Sequence, residues 1–398
     1  MITPSTSGDN PQLKAEIIAL IESSPDRRIT FERFMELALY HPVEGYYTRR
    51  AGLIGPKGDF YTAPRLSPVF GELVGRQIAE FWEKLGAPSE FQVVEMGAGQ
   101  GLLAGDILTY LQKADPTLWT ALGYTIVEIS EPLKMAQRRR LESLPQGADL
   151  LASVGWRTLA DFTKGEVKGC FVSNELLDAF PVHLVTIEDG QWREIYVTLS
   201  ESLEFEEIVG PLSDPALASY FERLGMAAGK YGEGYRTEVN LRMLNWLEEV
   251  AFGLEQGYIL TIDYGYPAAQ RYNPLRRDGT LQCYSQHQVH ANPYINIGRQ
   301  DITSHVDFTS LIQRGEELGL LTLGFTRQAP FLLGLGLGDK LAGLSSGQGG
   351  MTARQQLAER NALQELINPS GMGNFGVLIQ GRQLPPGAEK LAGLALTL

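Results

Sequence analysis

Glu95, Gly97, Gly99 and Gly101 fall in one short stretch, between the apolar run FQVVEMG and the helical pattern GLLAGDILTYLQ. Glycines placed after a strand and ahead of a helix turn backbone amides and the helix N-terminus towards a ligand. The spacing G-x-G-x-G is not the dinucleotide pattern G-x-G-x-x-G, because Leu102 stands where the third glycine is needed and Gly105 does not restore the register. A carboxylate at Glu95 repels a pyrophosphate and suits a ligand carrying an ammonium group. Glu128 ends the next apolar run, YTIVEIS, where a carboxylate can accept both hydroxyls of a ribose. Glu95, Gly97, Ala98, Gly99, Gly101 and Glu128 therefore form a candidate cofactor site. The alternative is a glycine-rich turn that holds nothing.

The elements that must position these residues are legible along the chain. FQVVEMG, YTIVEIS and KGCFVSN read as buried strands, each followed by a helical or polar segment, and GYILTIDYG and FGVLIQGR read as later strands. Ser67 and Pro68 look like a helix start, with Phe70, Leu73, Val74, Ile78, Phe81 and Trp82 at helical spacing after them. Thr30 is placed to cap the helix FERFMELALY. From Val182 to about Ile208 the pattern alternates, with turns at EDG and SES, and two helices follow over roughly Asp214–Ala228 and Glu238–Leu254. Leu333–Gly350 is rich in glycine and reads as mobile. The expected fold is α/β, a doubly wound and mostly parallel sheet. Residues 1–66 form a helical arm and lid loop, and residues 67–398 form the main domain with an insertion at about 182–254.

The formal net charge of −13 argues against a broad grip on nucleic acid. QRRRLE, from Gln137 to Glu142, is a local basic run that reads as a solvated helix face. The two cysteines, Cys170 and Cys283, make neither a disulfide framework nor a zinc set. No apolar run is long enough to span a bilayer, and the first residues carry no apolar signal core. The expectation is a cytoplasmic protein with no direct membrane insertion.

A cation-bearing, ribose-containing ligand describes S-adenosylmethionine, and E-x-G-x-G-x-G with an acidic end to the next strand resembles the class I methyltransferase signature. LYHPVEGYY, GDFYTAP, LSPVFGELVGRQ, SNELLDAFPVH, DYGYP with GTLQCYSQH, and DITSHVDFTSL together resemble the MidA family. The likeness runs from about Thr30 to Arg327. It implies a class I methyltransferase fold, S-adenosylmethionine as donor and a protein arginine as acceptor. It also implies a protein partner, such as a subunit of an NADH dehydrogenase-like complex during assembly.

With that acceptor in view, Asn174, Glu175 and Asp178 in SNELLDAFP put an amide and two carboxylates at the carboxyl edge of a strand. Carboxylates can clamp a guanidinium bidentately. Alternatively, Asp178 caps the next segment and only Asn174 or Glu175 faces the site. Glu238 at a helix start is a weaker candidate, equally explained by the helix dipole. Asp263 and Tyr264 could shape an acceptor channel, or Asp263 could satisfy turn amides. His305, near Asp301 and Asp307, could be a general base with a pKa near neutrality. A metal at these three residues lacks support from any other His/Cys cluster. His287 and His290 read as loop histidines. Thr62 could donate to the donor's carboxylate and Tyr61 could pack on substrate, if GDFYTAP closes as a lid rather than serving as a rigid connector. A scaffold that binds an assembly partner without catalysis is the competing function.

Overall fold

The computed structural model describes residues 8–49, 62–286, 288–345 and 351–396. The readings of Tyr61 and His287 lie outside the described residues. Contacts group the chain into two compact units, and the grouping does not follow the expected arm-plus-domain division. One unit takes the described part of Met1–Phe60 together with Leu177–Trp246 and Gly265–Leu311. The other takes Tyr61–Leu176, Leu247–Tyr264 and Ile312–Leu398.

The second unit is built on a seven-stranded sheet. Its strands are β1 (Phe91–Met96), β2 (Leu122–Val127), β3 (Val154–Arg157), β4 (Val167–Asn174), β5 (Leu254–Asp263), β6 (Leu321–Arg327) and β7 (Gly376–Arg382). Their spatial order is β6-β7-β5-β4-β1-β2-β3. All neighbours pair in parallel except β7, which runs against both β5 and β6. The chain begins in the centre at β1, moves out to β3, then returns to β4 on β1's other side. This reversal creates a crevice at the carboxyl ends of β1 and β4, where open parallel sheets bind ligands.

Helix α1 (Pro68–Lys84) starts as its sequence predicts, with Ser67 Oγ accepting the amide of Val69 at 3.1 Å. Its stripe of Phe70, Leu73, Val74, Ile78 and Phe81 is buried in the core of this unit. Phe81 stacks on Tyr258 of β5 with centroids 4.0 Å apart. Helix α2 (Leu102–Ala114) turns Leu103, Ile107 and Leu111 inward. The segment from Leu333, expected to be mobile for its glycines, is helical over Leu337–Ser345. Leu332, Leu335 and Leu337 are buried in the same core, so apolar burial outweighs the entropic cost of the glycines.

The first unit holds an antiparallel sheet of Ile29–Thr30, Gln191–Leu199, His183–Glu188 and Arg236–Val239, with Phe205–Gly210 also paired to Gln191–Leu199. Asp189 and Gly190, both at positive φ, make the first expected hairpin turn. Helices Pro11–Ser23 and Phe31–Tyr40 bury Leu13, Ile17, Ile21, Phe31 and Phe34 in one core with Leu184, Ile195 and Val197. Thr30 caps the second of these helices, its Oγ1 accepting the amide of Arg33 at 3.1 Å. The N-terminal helices thus share a core with the hairpins rather than forming a separate arm.

The helix expected from Glu238 begins later, at Leu241, with Asn240 Oδ1 accepting the amide of Met243 at 2.9 Å. Glu238 is instead a strand residue paired with Leu184. The reason is electrostatic. Its carboxylate is fully buried and meets Arg271 at 3.2 Å, while Thr280 donates through its amide at 2.8 Å and its hydroxyl at 2.9 Å. Arg271 also donates to the carbonyls of His305 at 2.7 Å and Glu238 at 3.0 Å. Among the described residues no helix is long and apolar enough to cross a membrane.

Removing one member of such a pair strands the other charge in the interior. Glu238→Ala is expected to destabilise the protein by about 3–5 kcal/mol, read as a lowered midpoint in urea unfolding. An unchanged midpoint would show that Arg271 is held by its carbonyl partners alone.

Candidate functional site

The three glycines of the turn adopt φ of +70° at Gly97, +52° at Gly99 and +78° at Gly101. That conformation is costly for any residue with a Cβ. Packing adds a second constraint at two of them. A Cβ on Gly97 would sit 2.7 Å from Leu176 Cδ1, and one on Gly101 would sit 3.2 Å from Gln137 Cα. A Cβ on Gly99 would meet no described residue within 4 Å, so among the described residues that face of the turn is open. Ala98 is buried between them, its carbonyl accepting the amide of Gly101 at 2.8 Å. The turn leads into α2, whose first amides lack helical acceptors and face outward from the sheet edge.

Glu95 is buried on β1 and accepts the hydroxyl of Tyr124 at 2.7 Å. Burial pushes its carboxyl up to about 7, against the pull of the Tyr124 bond and with a further push from Asp106. Asp106 on α2 is itself pushed up to about 6 by burial, opposed by Arg140 at 3.8 Å. Glu128, at the end of β2, is likewise raised by burial, against the amide of Ser130 at 2.9 Å and Nε2 of Gln137 at 3.1 Å.

Gln137 was not singled out as a site residue from sequence. It is fully buried on α3 (Glu131–Glu142), not part of a solvated face. A signal was present. Leu133, Gln137 and Leu141 stand four residues apart and form the inward stripe of the helix, so the first letter of QRRRLE is a polar residue on an apolar face. The arginine after it, Arg138, lies over the ring of Trp156 at 4.0 Å.

At the end of β4, Asn174 Nδ2 donates to Glu175 Oε1 at 3.0 Å, while Asn174 Oδ1 is buried with no hydrogen-bond partner among the described residues. Glu175 adopts φ of +50°, a strained conformation for a non-glycine residue. Its amide donates to the carbonyl of Ile262 at 2.9 Å, and Oε1 also accepts the amide of Ala63 at 3.3 Å. Ala63 opens the short helix Ala63–Leu66, and Thr62, half-buried, precedes it. Asp263 at the end of β5 accepts the amides of Leu176 at 3.1 Å and Tyr264 at 2.9 Å. Its geometry is that of a strand-end carboxylate satisfying turn amides.

The remaining candidates belong to the other unit. Asp178 is buried in the short turn Leu177–Ala179, its carbonyl accepting the amide of Ser304 at 2.9 Å. Asp301 accepts the hydroxyl of Tyr47 with both oxygens at 2.8 Å. Asp307 accepts Tyr220 and Ser310 hydroxyls, each at 2.6 Å. The expectation of a near-neutral His305 is not met. Burial, then Arg271 and Arg276, push its pKa down to about 3, so the ring is neutral across the physiological range. Glu238, already placed in a buried ion pair, is not at a helix start.

Glu95 and Asp106 bind protons more tightly folded than unfolded. Their contribution to stability is complete below the ordinary carboxylate range and is lost as pH rises through about 6 and about 7. The protein should therefore lose stability between about pH 5 and about pH 8, with Glu95 supplying roughly 2–3 kcal/mol of the loss. Glu95→Gln should flatten that slope in urea unfolding. An equal slope in both proteins would contradict the shift.

Residues 73–326 match the model of a family of S-adenosyl-L-methionine-dependent methyltransferases. The protein arginine methyltransferase NDUFAF7 homolog, mitochondrial, of Drosophila melanogaster is 30% identical over 317 residues, covering 75% of this chain and 67% of that protein. The protein arginine methyltransferase NDUFAF7, mitochondrial, of Homo sapiens is 28% identical over 410 residues, covering 96% and 87%. The solved structure of a COG1565 superfamily member from Burkholderia thailandensis, bound to S-adenosyl-homocysteine, is 33% identical with a TM-score of 0.85, covering 99% of this chain and 97% of that one. The mitochondrial names of the curated relatives overturn the expectation of a cytoplasmic protein. The mixed seven-stranded sheet is that of a class I methyltransferase, and the donor is S-adenosyl-L-methionine. The chain belongs to the MidA-like family of S-adenosyl-L-methionine-dependent methyltransferases.

Proposed function

We propose that this methyltransferase modifies an arginine side chain of a protein partner, and that the carboxyl edge of β4 aims the acceptor. The observation that carries the reading is the pair Asn174–Glu175. A buried amide oxygen without a partner among the described residues and a carboxylate held at positive φ stand at one strand end, on the edge that carries the glycine turn. Strain of that kind is kept where the surrounding structure over-determines it, often at functional sites. The names of the curated relatives supply the acceptor class, a protein arginine. A subunit of an NADH dehydrogenase-like complex is the partner to test first.

The donor-facing roles follow from the same edge. Glu95 is placed to meet the ammonium of the donor, whose charge favours the ionised carboxylate, and the backbone of Gly97, Ala98, Gly99 and Gly101 lines its approach. Glu128 takes the ribose hydroxyls, Asn174 Oδ1 accepts a donor-group hydrogen, and Thr62 faces the donor carboxylate. These residues fit the group. Among the described residues the turn is open at Gly99, and Glu128 and Asn174 keep acceptor capacity in a buried setting.

The bound donor supplies an electrophilic methyl group on a sulfonium. The chain's part is to hold a guanidinium nitrogen in line and keep water out. Glu175 orients the guanidinium by charge-assisted hydrogen bonds and takes the proton that the nitrogen sheds as the N–C bond forms. Asp178 is the second carboxylate of the motif and the alternative clamp.

Glu175→Gln keeps an acceptor oxygen for the amide of Ala63 but removes the charge. Affinity for S-adenosylhomocysteine should change little, while transfer of labelled methyl to protein in lysate lacking the enzyme should fall at least about tenfold, roughly 1.4 kcal/mol of transition-state stabilisation. Normal transfer by Glu175→Gln with loss in Asp178→Asn would move the clamp to Asp178. Methyl-lysine in hydrolysed product, in place of methyl-arginine, would refute the acceptor.

A further inference from the structure

Gln137 makes three hydrogen bonds that together join the two halves of the donor site. Its side-chain amide offers two donor hydrogens and one acceptor oxygen. Nε1 of Trp156, on β3, can only donate, and it meets Gln137 Oε1 at 2.8 Å. That contact decides which way round the amide sits, because its amino group must then point to the other side. On that side Nε2 donates to the carbonyl of Gly99 at 2.9 Å and to Oε2 of Glu128 at 3.1 Å. Oε1 of Glu128 takes the amide of Ser130 at 2.9 Å, so both carboxylate oxygens are held while lone-pair capacity remains on each. Gly101 completes the fit, since any side chain there would press on the backbone of Gln137.

We propose that Gln137 is a positioning residue for the donor: pinned by Trp156, it locks the glycine turn and the carboxylate of Glu128 into one geometry and so sets the selectivity for a ribose-bearing donor. The inference rests on the reading of Glu128 as the ribose acceptor. The half-buried Gly99 carbonyl and a buried carboxylate oxygen share one amide, so loss of that amide frees the turn and the carboxylate to move independently. A residue that only fills space would have no such effect on ligand discrimination.

The test titrates S-adenosylhomocysteine and its 2′-deoxyribose analogue into the full chain, with circular dichroism to confirm folding. The unsubstituted protein should prefer the ribose ligand by about tenfold or more, on the order of one hydrogen bond to a charged group. Gln137→Met, of similar length but without hydrogen-bonding groups, should lose most of that preference. Trp156→Phe keeps a ring beneath Arg138 but frees the amide to invert, and should lose part of it. Equal weakening for both ligands in Gln137→Met overturns the inference. If that variant does not fold, Trp156→Phe decides, and an unchanged preference there overturns it. Glu128→Gln separates the two readings. Preference lost in Glu128→Gln but kept in the Gln137 and Trp156 variants refutes the positioning role alone. Preference kept in Glu128→Gln refutes the ribose reading and this inference with it.

Discussion

Parallel pairing of β1 between β2 and β4 brings three strand ends to one edge, and the donor side of the site depends on it. Met96 lies beside Val127 on one side and Ser173 on the other. The next residues along each strand are therefore the glycine turn, Glu128 and Asn174. Parallel neighbours need crossover connections, and right-handed crossovers leave the carboxyl ends of the central strands open. A slip of one residue in any of these pairings would turn Glu128 or Asn174 to the opposite face of the sheet. The register is specified by burial: Val93 of β1, Tyr124 and Ile126 of β2 and Cys170 and Val172 of β4 lie in one core with Phe70 and Phe81 of α1.

The edge concentrates buried carboxylates in a way that folding alone would not favour. Glu95, Asp106 and Glu128 are all raised by loss of water. Each keeps one or more fixed donors: Tyr124 for Glu95, Ser130 and Gln137 for Glu128, with Arg140 near Asp106. These donors hold the groups in place without neutralising them by close ion pairing. A cation arriving beside Glu95 would draw its carboxyl back towards the ionised form, because attraction between opposite charges is stronger in a buried setting than in water. The structure thereby accepts a stability cost at this edge.

The other unit handles its buried charge differently. Glu238 and Arg271 form a close ion pair, and Tyr220 and Tyr272 share a hydrogen bond of 2.6 Å beside Asp307. Arg271, Thr280, Tyr220 and Ser310 each meet an acceptor in this network, which is the condition under which a buried polar network gives rigidity. Burial, and after it the nearby cations Arg271 and Arg276, keep His305 neutral. Its imidazole is thus a hydrogen-bonding group of fixed charge, and protonation belongs elsewhere.

The local part of the candidate donor site is legible in sequence. Strand, glycine turn and helix occupy adjacent residues, and the next strand ends in an acid, so Glu95, Gly97, Gly99, Gly101 and Glu128 are recognisable from spacing. The buried stripe of α1, the caps at Thr30 and Ser67 and the hairpin after Glu188 follow from short-range pattern for the same reason. Tertiary structure decided the rest, where a buried polar group takes its partner from far along the chain. Glu238 became a strand residue because Arg271 waits 33 positions later. Asp263 was claimed by the amide of Leu176, 87 positions earlier. Gln137 reaches back 38 positions to Gly99, and its place on the apolar stripe of α3 marks it as buried without naming that partner. Local sequence sets which backbone conformations are cheap. The partner of a buried charge or amide is set by which segments the packed core brings within 3 Å or so of it, and that is a property of the whole fold.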